Sequence, residues 1–428
     1  MSRLFTDHFS DSDLVSNSIS CAASALCSGV LFCSAIFSPI AANAASSSAQ
    51  PTSAQLWQMI EAQKNEIEQL KTKQTEIIEQ TKKSTEQTDA TVAALEEVKN
   101  QGKPRVHIGG YGELHYNLLE NQKEGGKDKK EIDLHRLVFF FGHDFSERMR
   151  FFSEIEYEHA DTTKKGAVEV EQAFVEFDLN EKYQARGGLF LLPIGILNQT
   201  HEPPTFYGVE RNPVENKIIP TTWWVGGAGF SGRITDTLQF DTAIHEGFKA
   251  SATDKYAVRS ARQKTSEAVA HDLAFTGQIK WRAHPSIELT AATQFQPDID
   301  QNTDASADSA SLYETHAVVQ TGAFQFKTLY AHWDLQGDGP KAVGADQQNG
   351  YYIEPSYKIS ERIGVFSRFN AWDNEAGDNV DSKYTQVDVG LNYWPHENVV
   401  LKVDYQDQSV PNGKDELDGI NASIGYQF

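Results

Sequence analysis

The sequence predicts an all-β fold: a sixteen-stranded antiparallel transmembrane β-barrel, preceded by an N-terminal α-helical coiled coil. Three observations carry that expectation. Apolar and polar residues alternate with a period of two from Val106 to the end of the chain. The connections between these segments alternate between short and long. The chain also stops inside a strand, on the segment "GINASIGYQF".

The first element is a leader. Cys21, Cys27 and Cys33 lie in an apolar, small-residue stretch that ends Ala42-Asn43-Ala44. That pattern reads as a secretory signal peptide, residues 1–44, cleaved after Ala44. Asp7, Asp11 and Asp13 outnumber Arg3 in its leading part, against the usual positive charge, so an uncleaved anchor is the alternative. Cleavage would leave a chain with no cysteine and hence no disulfide or thiolate metal site.

A rod comes next, residues 45–103. One heptad register runs through it, with Ile60, Ile67, Gln74, Thr81, Thr88 and Leu95 at a. Leu56, Gln63, Leu70, Ile77, Ser84, Thr91 and Val98 stand at d. This is a coiled-coil seam with a polar middle, too weak to hold an oligomer alone. A single solvated helix or a linker is the alternative. Gly102, Lys103 and Pro104 end the rod.

The barrel domain is residues 104–428. Its clearest strands are "VHIGGYGELHYN", "RFFSEIEYEH", "VEQAFVEFDL", "DLAFTGQIKWR", "SIELTAATQF", "TQVDVGLNYW" and "VVLKVDYQDQ". Short turns fall at Asp144–Arg148, Asn180–Lys182, Thr235–Thr237, Ala283–Pro285, Gly322–Ala323, Ser360–Arg362 and Pro395–Asn398. Longer loops lie near 120–130, 160–167, 192–222, 250–269, 298–311, 337–348, 374–382 and 409–415. Seven short and eight long connections join sixteen strands. A soluble sandwich has no reason to segregate its loops by length, whereas an outer-membrane barrel keeps short turns in the periplasm and long loops outside.

The last strand must then pair with the first along its length. Tyr426 and Phe428 belong to its lipid-facing set and form a terminal signal for the barrel. An even strand number puts both ends, and with them the rod, in the periplasm. Trp223, Trp224, Trp281, Trp333, Trp372 and Trp394 fall near strand ends and read as interface aromatics.

Sixteen strands enclose a lumen too wide for wall side chains to fill. The loop "LPIGILNQTHEPPTFYGVERNPVENKIIPTT" is the longest, and it mixes apolar, aromatic and charged residues, unlike the polar loop tips elsewhere. It is expected to fold inward as a constriction. A capping role at a trimer centre is the alternative.

Several of these segments resemble the phosphate-selective porin O and P family: "VEQAFVEFDL", "GGLFLLPIG" with the long third loop behind it, and the terminal Phe. The N-terminal rod is most similar to its dicarboxylate-porin branch. The resemblance implies a homotrimer of water-filled channels in the outer membrane, passing small anions of the phosphate or dicarboxylate class without a cofactor. The chain departs from phosphate-binding members in lacking a dense run of Arg along one strand or a cluster of Lys.

Parity assigns the wall charges. Arg150, Arg186, Arg233, Lys280, Arg282, Lys327, Lys358, Arg368 and Lys402 face inward. Arg186, Arg233, Lys327 and Arg368 are expected to join His201, Arg211 and Lys217 of the loop at the constriction. Glu154, Glu156 and Glu158 form an acidic strip on one strand, and Arg136 sits on a strand apolar on both faces, where parity fails. The chain's formal charge is -22. Removing the 1 base and 3 acids of residues 1–44, and the 7 bases and 9 acids of 45–103, from 38 and 60 leaves the barrel with 18 acids in excess. That argues against nucleic acid or anionic lipid as a partner and leaves a general or cation-preferring porin as the competing reading.

Catalysis is not expected. Neighbouring carboxylates on one strand cannot flank a glycosidic bond, and the thirteen His residues show no metal-binding spacing. Expected partners are further copies of the chain, outer-membrane lipid and small solutes, with peptidoglycan a candidate for the rod. A trimeric coiled-coil adhesin or an envelope-tethering barrel is the alternative of another class.

Overall fold

The computed structural model describes residues 105–428 except position 304, together with scattered helical positions between 53 and 82. The expected signal peptide and most of the expected rod lie outside the described residues. Of the seam positions that are described, Ile67 and Leu70 are 52% and 58% exposed.

From Val106 the chain forms sixteen strands: β1 Val106–Asn121, β2 Lys129–Ser146, β3 Met149–Glu158, β4 Ala167–Asp178, β5 Tyr183–Leu191, β6 Trp224–Arg233, β7 Leu238–His245 and β8 Ala274–His284. Then follow β9 Ile287–Gln296, β10 Ala310–Thr321, β11 Phe324–Leu335, β12 Gln347–Ser360, β13 Ile363–Asp373, β14 Tyr384–His396, β15 Val399–Ser409 and β16 Leu417–Gln427. Each pairs with its sequence neighbours, and β1 closes on β16.

No helix among the described residues is long and apolar enough to cross a membrane; strands do the crossing.

The closing seam runs antiparallel from Tyr111↔Gln427 to Asn121↔Leu417. Gly110 and Phe428 exchange backbone bonds of 2.9 and 2.8 Å, so the last residue is part of the ladder. The first residues of β1 run past the end of β16, where they pair with β2. The seam is thus shorter than the whole of β1.

Ile420 and Ile424 of β16 are exposed on the outer face while Asn421 is buried inside. Phe428 is 60% exposed, and its ring meets Phe139 of β2 edge-on at 6.3 Å.

The hydrophobic core lies inside the barrel. Two outside loops fold inward, the third (192–223) and the fourth (246–273). Leu192, Ile194, Val214 and Ile218 of the third pack with Phe248, Tyr256 and Val258 of the fourth against Leu312, Leu329, Trp333 and Tyr352 of the wall. Trp223 stacks on Phe248 at 4.7 Å, and Trp333 donates its indole N–H to the Ile218 carbonyl at 2.9 Å.

This corrects the reading of the tryptophans. Trp223, Trp224, Trp333 and Trp372 are at most 6% exposed, and Trp394 donates to the Pro204 carbonyl of the third loop. Only Trp281 of the six, 48% exposed, sits where an interface aromatic would. Parity near a strand end says nothing about loops that return to cover the inner face.

Candidate functional site in the lumen

The third loop leaves β5 and crosses the lumen. Pro193 accepts a bond from Gln278 of β8 at 2.9 Å. Pro203 lies against Gly425 of β16, where a β-carbon would come within 2.4 Å of it. Tyr207 lies against Gly364 of β13, where the gap would be 2.2 Å. Both wall positions admit the loop because they carry no side chain.

Polar anchors then hold it. Lys402 donates to the Gly208 carbonyl at 2.8 Å, and Asp404 accepts from the Val209 N–H at 2.6 Å. Arg368 donates to the Glu210 carbonyl at 3.3 Å and pairs with Glu354 and Asp388, each at 3.1 Å. Glu210 lies 3.4 Å from His115 of β1 and accepts from Asn117 at 3.2 Å.

Beyond these anchors a one-turn helix, Val214–Lys217, returns the chain towards β12, where Tyr352 donates to Glu215 at 2.9 Å. Glu215 also accepts from the Ile196 and Leu197 N–H groups, tying the loop's two limbs together.

The residues expected at the constriction therefore occupy several places. His201 and Arg211 lie within the inserted loop, and Arg368 bonds its Tyr207 and Glu210 carbonyls from β13. Arg368 is 3% exposed, so it serves the loop and its acids before any solute. Lys217 is exposed at the end of the one-turn helix. Arg186 pairs with Asp241 at 2.8 Å and lies over the Phe190 ring. Lys327 is 8% exposed and opposes Glu354 in the β11–β12 register. Arg233 ends β6 at the periplasmic rim, donating to the Glu181 carbonyl of the neighbouring turn at 2.7 Å.

Of the acidic strip, Glu154 and Glu156 are buried on the inner face of β3, and Glu158 is half-buried at its outer end. Arg136, which parity could not place, points inward and meets Glu113 at 2.9 Å and Glu156 at 3.3 Å.

Two lumen residues escaped the sequence reading, Arg259 and Arg262 of the fourth loop. Arg259 donates to the carbonyls of Asn216 and Thr221 at 3.0 and 3.2 Å. Arg262 donates to those of Pro220 and Thr222. Arg211 approaches the same limb, bonding the Thr222 hydroxyl at 2.8 Å. Three guanidiniums from two loops thus gather within electrostatic reach of Arg136 and of the acids Glu158, Glu169 and Glu171.

Burial, with Arg262 and Arg211 adding like charge, pushes Arg259 down to about 10, still protonated at neutral pH. Burial likewise lowers Arg211 and Arg262. Nε and Nη2 of Arg211 and Nε of Arg262 are buried with no hydrogen-bond partner among the described residues. A signal existed: "GFKASATDKYAVRSARQK" carries Phe248, Tyr256 and Val258 among its polar residues, the same mixture that marked the third loop as an inward one.

Comparison with known proteins places this architecture. Residues 106–428 match the family described as phosphate-selective porin O and P. An uncharacterized protein of Aquifex aeolicus (strain VF5) is 32% identical over 372 residues, covering 77% of this chain and 81% of the relative. Among solved structures, the anion-selective porin from Comamonas acidovorans aligns with a TM-score of 0.55 at 12% identity, over 76% of this chain and 99% of its own. The outer membrane channel DcaP of Acinetobacter baumannii aligns with a TM-score of 0.53 at 14% identity, over 76% and 97%.

Proposed function

The chain belongs to the phosphate-selective porin O and P family, and from that premise we infer that its channel favours small anions of the phosphate or dicarboxylate class. It is an outer-membrane porin, a passive diffusion channel, and family and fold point to a channel rather than an enzyme. Its selectivity is carried by one observation: Arg211, Arg259 and Arg262, each part-exposed, bring three guanidiniums from two loops together. Such groups match the oxygens of a phosphate or carboxylate and discriminate against cations.

The barrel's excess of 18 acids favours the competing reading, a cation-preferring channel. Charge beyond a Debye length of about 8 Å is screened at physiological salt, so guanidiniums close to a passing solute outweigh the distant total.

The adhesin alternative fits less well. An adhesin barrel is shared between chains, whereas here β16 closes on β1 of the same chain. A homotrimer is supported by the heptad seam and by the family. In this reading the rod lies in the periplasm, and the barrel supplies most of the trimer's stability. Deleting residues 45–103 should leave a trimeric channel, and a monomer in mild detergent would refute that division.

The selectivity test is single-channel recording in planar bilayers under a salt gradient, with phosphate, dicarboxylates and simple cations as solutes. Wild type should show an anion-favouring reversal potential. Arg211→Ala with Arg262→Ala should move it towards cations by about 1 kcal/mol, a roughly fivefold change in permeability ratio. The pair Arg233→Ala and Arg282→Ala, near the periplasmic rim, should do much less. Cation preference in wild type would establish the acidic-lumen reading instead.

A further inference from the structure

Strict alternation along β4 runs outward at Val168 and Val170, and inward at Glu176 and Asp178. Counted back from Glu176, Glu171 would face lipid. It does not, because the β3–β4 register shifts between Glu154 and Ile155: Glu154 pairs with Gln172, and Ile155 with Val170. Glu171 is the extra residue of a β-bulge, and both it and Gln172 are buried on the inner face, 1% and 4% exposed. Bulges re-aim single side chains and are enriched beside functional sites.

The re-aimed carboxylate meets His201 of the third loop. His201 Nδ1 lies 3.1 Å from the Asn198 carbonyl, which can only accept, so Nδ1 carries a proton. Nε2 faces two carboxylates, 3.4 Å from Glu154 and 3.7 Å from Glu171. All three side chains are at most 1% exposed. Neither oxygen of Glu171, nor Nε2 of His201, has a hydrogen-bond partner among the described residues.

Both separations exceed a direct charge-assisted bond and leave room for an ion between the three side chains. A charge-assisted N–H···O bond draws its atoms to about 2.7–2.9 Å. Ligands at about 2.0–2.1 Å around a tetrahedral ion stand about 3.4 Å apart. The distances match the second case.

The surroundings also fit. Gln172 donates to Oε2 of Glu154 at 2.6 Å, and Tyr111 to Oε1, the oxygen that faces His201, at 3.4 Å, fixing that carboxylate as outer groups do around a metal. Glu156 lies within electrostatic reach of Glu171. Of the three nearby guanidiniums, Arg136 is engaged by Glu113 and Glu156, Arg211 bonds the Thr222 hydroxyl, and Arg262 donates to the Pro220 and Thr222 carbonyls.

We propose that Glu154, Glu171 and His201 bind a divalent transition-metal ion, with one nitrogen and two carboxylate ligands suited to Zn2+, and that the ion pins the third loop to the wall at β3 and β4. The three ligands are far apart in sequence, and a bulge supplies one, so no motif spacing announces the site.

A second histidine group, His115 and His135 with Glu210, does not rival it. Its imidazole rings stack at 4.4 Å and 11°, and parallel rings cannot aim in-plane lone pairs at one ion.

The test uses the full-length protein in detergent, stripped with EDTA, dialysed against Zn2+ and then freed of unbound metal. Elemental analysis should find one Zn2+ per chain, and cobalt substitution should give the intense visible bands of a four-coordinate site. Glu171→Gln, nearly isosteric, should abolish binding while the barrel keeps its heat-modifiable migration. Gln172→Ala should weaken binding about tenfold or more. His135→Ala should bind as wild type does. Failure of wild type to retain Zn2+, retention by Glu171→Gln, or loss in His135→Ala would each overturn the assignment.

Discussion

The two sides of the barrel wall meet the inserted loops in opposite ways. Along β10 to β12 the inner face offers Leu312, Leu329, Trp333 and Tyr352, and the loops bury apolar residues against it. Along β1 to β4 the inner face offers Glu113, His115, Arg136, Glu154 and Glu156, and the loops approach it with His201, Glu210 and Arg211. One side holds the loops mainly by area removed from water, with the Trp333–Ile218 and Tyr352–Glu215 bonds added, and the other by charge. The difference teaches where selectivity can be built: an apolar seat is indifferent to solute charge, so the discriminating groups gather on the edge facing the ionic wall.

The comparison breaks most visibly on the apolar side. Trp333→Ala removes a fully buried ring and the indole bond to Ile218, at a cost of about 3–5 kcal/mol. The unfolding midpoint of the barrel in detergent should fall sharply. Conductance should rise and become noisy as the loops leave their seat. A quiet channel of wild-type conductance would mean that polar anchors alone hold the third loop.

Arg368→Ala should come next. It strands Glu354 and Asp388 in a buried setting and frees the Glu210 carbonyl, destabilising by about 3 kcal/mol. Arg368→Met, which keeps the volume but not the charge, separates packing from pairing. If both variants unfold as wild type does, the pairing is not holding the loop.

The smallest effect concerns pH. Burial opposes ionisation of Glu210, but His115, then His135 and Lys129 outweigh it and hold the carboxyl well below its usual range. A depressed folded-state pKa adds stability that is complete above the ordinary carboxylate range of about 4 and is lost as pH falls through the depressed value. Glu210→Gln should therefore lower the unfolding midpoint equally at pH 7 and pH 5. The gap between variant and wild type should close only in acid stronger than pH of about 4. A gap that closes near neutrality would place the effect in the histidines instead.

Much of this architecture is legible in the sequence, for physical reasons. Period-two alternation is enforced wherever one face meets lipid, and turn length follows membrane side, so sixteen strands and an inward third loop can be read directly. Parity also carries Arg368 and Lys402 to the correct face. It fails at Glu171, because a bulge costs one residue of register and leaves no mark in composition. It fails differently at Arg233, where the face is right but parity carries no information about depth. Arg259 and Arg262 were hidden because a loop's path depends on what the wall leaves room for, a property of many strands at once.

That room is partly made by absence. Gly364 and Gly425 form shallow recesses that receive Tyr207 and Pro203. A methyl group at either place would push the loop towards the barrel axis and narrow the passage, with no loop residue altered. The calibre of the channel is therefore written into strands far from the loop in sequence. A lineage could retune its pore, or an engineer resize it, by working on the outer casing and leaving the charged lining as it is.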